Sequence, residues 1–120
     1  MIEQHSATPI DPTDLPEVIS SFLTAQVARD AETAVPLFVP DAVVTDEGHD
    51  FHGLDTIRDW LTNAAGEFTY TTEVTSASRI DDTHYDVIHH LEGDFPGGVA
   101  NLHFRFNLHD GLIKTLTIEP

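Results

Sequence analysis

The sequence predicts an α+β domain, in which a strongly curved antiparallel sheet wraps around N-terminal helices and encloses an apolar cone. Three observations lead there. Through the first half of the chain, apolar residues recur three and four positions apart, as on one face of a helix. Beyond Gly66 the period changes to two, the spacing of half-buried strands. Turn-forming pairs such as Asp110-Gly111 then divide that second half into consecutive hairpins. Helices first and an antiparallel meander after them imply segregated layers around one core.

Each element has its own local reason. Residues 1–12 are polar, contain Pro9 and Pro12, and read as a flexible arm, leaving 13–120 as the domain. Asp14, Pro16 and Glu17 have the pattern of a capped helix start. Leu15, Val18, Ile19, Phe22, Leu23 and Gln26 then make one stripe along a helix to about Ala28. A shorter helix begins near Asp30, presents Ala31, Ala34, Val35 and Phe38, and is stopped by Pro40. Ala42 to Asp46 is a short strand, turned by Glu47-Gly48-His49-Asp50. Gly53 to Ala65 is a third helix with Leu54, Ile57, Trp60, Leu61 and Ala64 inward. Four antiparallel strands follow, Phe68 to Ile80, Thr83 to Glu92, Val99 to His109 and Leu112 to Ile118. Alternation places Leu102, Phe104, Phe106 and Leu108 on one face of the third of these, and His103, Arg105, Asn107 and His109 on the other.

Composition excludes several function classes. A chain of 120 residues supports one hydrophobic core rather than two, and seven Phe and one Trp give that core large side chains. With 21 Asp and Glu against 5 Lys and Arg, the net charge is −16. Such a surface repels phosphate backbones and anionic membranes, so nucleic-acid and membrane partners are not expected. The chain has no Cys, and so no disulfide framework or thiolate chemistry. The start of the sequence lacks the basic and apolar segments of a secretion signal, and no apolar run approaches a bilayer-spanning length, which makes the cytoplasm the expected location.

The run Phe38 to Asp46, followed by Phe51-His52-Gly53-Leu54-Asp55-Thr56-Ile57-Arg58-Asp59-Trp60, resembles the SnoaL-like signature. Gly93-Asp94-Phe95-Pro96-Gly97 and Asp110-Gly111-Leu112-Ile113 are similar to segments of small members of that group. The resemblance spans roughly residues 13–120 and implies the cystatin-like, nuclear-transport-factor-2-like cone. That superfamily includes polyketide cyclases, ketosteroid isomerases, epoxide hydrolases and non-catalytic binding modules, so the fold does not fix the activity. The chain is also similar to ketosteroid isomerases, whose carboxylate base matches Asp46. Their oxyanion-binding Tyr matches Phe22, and their protonated Asp matches Leu102, just before His103-Phe104-Arg105-Phe106. The base position is present and both oxyanion donors are absent, which argues against the steroid-isomerase reaction.

The alternation that turns Val87 and Leu91 inward turns His89 inward too. Asp46 and His89 are therefore the expected acid/base pair, with Phe22, Trp60, Tyr85, Leu102 and Phe104 as walls excluding water. The competing structural reading makes Asp46 a turn cap and His89 a hydrogen-bonded core histidine. His49 and His52 near Asp46, with His89-His90, suggest a metal site, but His89 and His90, as neighbours on one strand, point to opposite faces, and no metal site is expected. No cofactor motif is present. The function expected is thus a pocket for a small apolar molecule, with cofactor-free isomerase, cyclase or hydrolase chemistry. The alternative is a non-catalytic ligand-binding or dimerisation module. The outer face of Val99 to His109 is the expected homodimer surface.

Overall fold

A computed structural model describes residues 7–63 and 70–120. Helix α1 spans Glu17–Val27 and buries Ile19, Phe22 and Ala25, the inner part of the expected stripe. Each large side chain on that stripe contributes about 1.5–3 kcal/mol by leaving water. Asp14 does not cap α1: it closes a 3₁₀ turn, Pro12–Asp14, whose cap is Asp11, accepting from the Thr13 backbone N–H at 3.0 Å. Helix α2 is a single turn, Ala31–Ala34, capped by Asp30. Helix α3, Leu54–Asn63, buries Ile57, Trp60 and Leu61. Gly53 opens it at φ +85°, a left-handed conformation that L side chains avoid, and donates its N–H to Ala42 O.

Strand β2, Phe38–Asp46, begins four residues earlier than the sequence suggests. Pro40 lies inside it, exposed, where the register slips between Phe38 and Val43, the bulge that lets a proline sit in a sheet. The expected four-residue turn after Asp46 is only Glu47-Gly48. Both residues take positive φ, as a tight hairpin requires, and a further strand, β3 (His49–His52), returns along β2. The meander then runs through β4 (Tyr70–Arg79), β5 (His84–Gly93), β6 (Val99–His109) and β7 (Leu112–Glu119). Within the stretch expected to be an arm, Thr8–Ile10 forms strand β1 on the edge of β4. Met1 to Ser6, Ala64 and Ala65 at the expected end of the third helix, and Phe68 at the expected start of a strand lie outside the described residues.

The strands form one curved, unclosed, seven-stranded sheet in the order β1-β4-β5-β6-β7-β2-β3. It is mixed rather than wholly antiparallel. Strands β2 and β7 run parallel, with Val44 opposite Leu116 and Asp46 opposite Ile118. Parallel neighbours need a long connection, and here that connection is everything between them in the chain. At one end of the cone α1 fills the concave face. The ring of Phe22 meets Phe38 at 5.5 Å and Phe106 at 5.8 Å, both edge to face. No helix among the described residues is long and apolar enough to cross a membrane.

Candidate functional site

Toward the other end of the cone, between α3 and the sheet, the described residues line a cavity of about 860 Å³. Its floor is Trp60 of α3, 5% exposed, with Phe51 of β3 tilted beside it at 6.1 Å between ring centres. Its long wall is the concave face of the sheet, Leu91, Ala100, Leu102, Phe104 and Ile118. The opposite lip is Phe95 and Pro96, from the turn between β5 and β6, together with Tyr70, whose ring meets Phe95 edge to face at 6.5 Å.

Asp46 ends β2 at the edge of this cavity and is half-buried. The indole Nε1–H of Trp60 donates to its Oδ2 at 3.0 Å. Burial pushes the Asp46 carboxyl above the usual range. The Trp60 hydrogen bond holds it back, the neighbouring Glu47 charge adds to the rise, and His49 opposes it. Oδ1 is thereby left for another partner while Oδ2 is fixed. Around Asp46 the polar lining is Glu47, His49 and Asp59, all exposed, with Gln26 and Thr56.

Of the residues expected to form the site, Asp46, Trp60, Leu102 and Phe104 line this cavity, and Phe22, Tyr85 and His89 do not. Phe22 is fully buried beneath the sheet, and Tyr85 lies opposite Phe106 toward the helix-filled end. His89 is on the concave face, as alternation requires, opposite Leu102 and Val74. It is 4% exposed, however, and its ring lies 4.1 Å from that of Phe104. It contacts the cavity wall rather than the cavity. Its Nδ1 is buried without a hydrogen-bond partner. Burial lowers its pKa to about 4, against a smaller opposing effect of a backbone hydrogen bond to Val87, and the ring is neutral at pH 7.

The imidazole placed near Asp46 is His49, its cross-strand partner in the β2–β3 hairpin. Sequence reasoning places His49 near Asp46 but in a turn, and weighs it with His52 only as a metal ligand; Phe95 and Pro96 it leaves in a turn. The signal was present in Glu47-Gly48, a pair suited to a tight hairpin turn, followed by the alternating His49-Asp50-Phe51-His52. Among the described residues, no group of three or more potential metal ligands comes together.

On the convex face, His103 Nδ1 lies 2.9 Å from Asp86 Oδ2, and Arg105 pairs with Glu119. His90 bridges Asn101 at 2.9 Å and Glu92 at 2.8 Å, and these two contacts raise its pKa, Asn101 more than Glu92.

No protein-family model matches the chain, and no curated protein matches it. Solved structures do. A proposed polyketide cyclase from Sinorhizobium meliloti is 30% identical over 92% of this chain and 100% of its own, with a TM-score of 0.83. A Catenulispora acidiphila protein of ketosteroid isomerase-like fold, solved with trimethylamine, is 16% identical over 88% of this chain and 85% of its own, at 0.75. A Mycobacterium tuberculosis protein solved with estradiol-17beta-hemisuccinate is 16% identical over 87% and 91%, at 0.70.

Proposed function

Because this chain belongs to the SnoaL-like, nuclear-transport-factor-2-like superfamily, we propose that its cavity binds a small, largely apolar molecule and that Asp46 takes a proton from it. The observation that carries this reading is a carboxylate raised by burial and held by Trp60 at the edge of an aromatic cavity. A carboxylate in that setting is a stronger base than one in water, and its orientation is fixed before the ligand arrives. Oδ1 receives the proton, while Oδ2 stays with the indole. Returning the proton to another atom of the same molecule gives isomerisation or cyclisation; taking it from water gives hydrolysis. None of these needs a cofactor.

His49 is the second acid/base group, near enough for its charge to act on Asp46 and exposed enough to exchange protons with water. His89, neutral and walled off, supports Phe104 instead. Without donors at Phe22 and Leu102, negative charge developing on the ligand meets Gln26, Thr56 and Tyr70, milder donors than a protonated acid. The small ligands held by two proteins of this fold are in keeping with a ligand-binding cone. The alternative reading, a binding or dimerisation module without turnover, shares the cavity and differs only in what Asp46 does.

The test begins with a thermal-shift screen of small ketones, lactones and epoxides, each hit then being assayed for turnover. Asp46→Asn keeps the shape and the oxygen that Trp60 donates to, but removes the basicity. Turnover should vanish, affinity for these uncharged hits should change less than about threefold, and the melting temperature at pH 7 should hold or rise as an unfavourably buried charge disappears. Turnover surviving the substitution refutes Asp46 as the base. Binding without turnover in the native protein selects the module. We also propose that two copies associate through the convex face of β6 and its neighbours, where Arg105 offsets acidic repulsion.

A further inference from the structure

The cavity has an electrostatic polarity that the apolar reading does not use. Among the described residues, five aromatic side chains line it, and every fixed charge on that lining is negative: Asp46, Glu47 and Asp59. The basic side chains of the chain lie elsewhere. None of Arg29, Arg58, Arg79, Arg105 and Lys114 lines the cavity, and three of them pair with acids at other places, Arg58 with Glu32, Arg79 with Asp82 and Arg105 with Glu119. Among the described residues, His49 is the one histidine on the lining, and it is exposed. The overall charge of −16 deepens the same field.

Ring faces present negative potential, and a carboxylate beside them adds full charge, so such a cavity attracts a cation whose surface is apolar. Trp60 is suited to this, because its N–H is committed to Asp46 and its ring forms the floor with Phe51. An anion would meet the carboxylates with no fixed positive charge to hold it. A neutral hydrocarbon would fill the space without using the field. We infer that the ligand this cone selects is an organic cation, an apolar body carrying a protonated amine or quaternary ammonium, seated with its charge between Asp46 and the rings of Trp60 and Phe51. The inference rests on the cavity being a ligand site; it does not depend on whether the ligand is turned over.

Trp60 is the only tryptophan of the chain, so its fluorescence reports cavity occupancy without a label. The probes are benzyltrimethylammonium, its neutral isostere neopentylbenzene, and the anion 3-phenylpropionate, each titrated at low and at moderate salt. The expected order is cation, then neutral, then anion, with the cation ahead of its isostere by about tenfold or more. That margin should shrink with added salt, and should fall in both Asp46→Asn and Glu47→Gln. Glu47 lies exposed in a turn, so its substitution tests the charge even where Asp46→Asn alters folding. Asp82→Asn, far along the chain and paired with Arg79, should leave the margin unchanged. A neutral isostere that binds as tightly as the cation overturns the inference and leaves the apolar site standing. A margin equally sensitive to Asp82 overturns it as a general surface effect. Fluorescence unmoved by any of the probes, and by the hits of the ketone, lactone and epoxide screen, overturns the site itself.

Discussion

Trp60 Nε1 donates a 3.0 Å hydrogen bond to Asp46 Oδ2, tying the buried face of α3 to the last residue of β2. One contact thereby sets the distance between helix and sheet, the direction of the carboxylate and part of its acidity. Trp60→Phe keeps an aromatic floor and deletes the donor. The Asp46 pKa should move further up, because the Trp60 hydrogen bond is what opposes burial. The fold should lose about 0.5–1.5 kcal/mol. Carbon-13 NMR titration of the side-chain carboxyl measures the first effect, and any turnover should show its acid limb displaced to higher pH. A carboxyl that titrates unchanged would mean the bond contributes nothing in solution.

His89 predicts a particular dependence of stability on pH. Its folded pKa is about 4 against an ordinary 6.5, so the unfolded chain binds the proton first as pH falls. Its contribution is complete above pH 6.5 and is lost progressively down to about pH 4, roughly 3 kcal/mol in all. His89→Leu should remove that component and, by deleting an unpartnered buried nitrogen, stay within about 1 kcal/mol of the native protein at pH 7. Urea unfolding at half-unit pH steps compares the two. Parallel curves from pH 6.5 to 4 would show that the ring is hydrated or paired in solution.

Phe22 separates core from cavity. It is fully buried against Phe38 and Phe106 and does not line the cavity. Phe22→Ala should cost about 3–5 kcal/mol. Phe22→Leu should cost less and leave ligand affinity unaltered. Affinity lost in step with stability in the leucine variant would return Phe22 to the wall where sequence matching places it.

The convex face makes the assembly testable. Sedimentation at tens of micromolar should give twice the 13.2 kDa chain mass. Arg105→Glu exchanges the ion pair with Glu119 for a repulsion and should shift the population to single chains. A native protein that sediments as one chain in moderate salt disproves the dimer.

What was legible in the sequence follows physical range. Ile57, Trp60 and Leu61 could be assigned to one helix face because the spacing that defines it lies within the helix itself. Asp110-Gly111 makes the expected hairpin because both residues tolerate positive φ, at +52° and +79°. Alternation gave His89 its face correctly. It could not give depth, because depth depends on what covers that face: His89 lies behind Phe104 and outside the lining of the cavity. The same limit hid the parallel pairing of β2 with β7, a contact between segments that share no turn. Strand β3 went unseen for another reason, since four residues rich in His and Asp carry little strand propensity and owe their conformation to β2.

Strand β7 is last in the chain order of strands yet lies between β6 and β2, holding the two halves of the sheet together. On a ribosome, Val44 has no Leu116 to pair with until more than half the chain has been added after it. Through that interval the side chains of Ile19, Phe22 and Ile57 lack the sheet that will cover them. Pairings so distant in sequence form slowly, and an uncovered apolar face is what chaperones bind and what aggregates share. Acidic residues outnumber basic ones along the whole length, so incomplete chains already repel one another. Like charge and late pairing thus act on the same interval of the chain's life, before there is any cavity to fill.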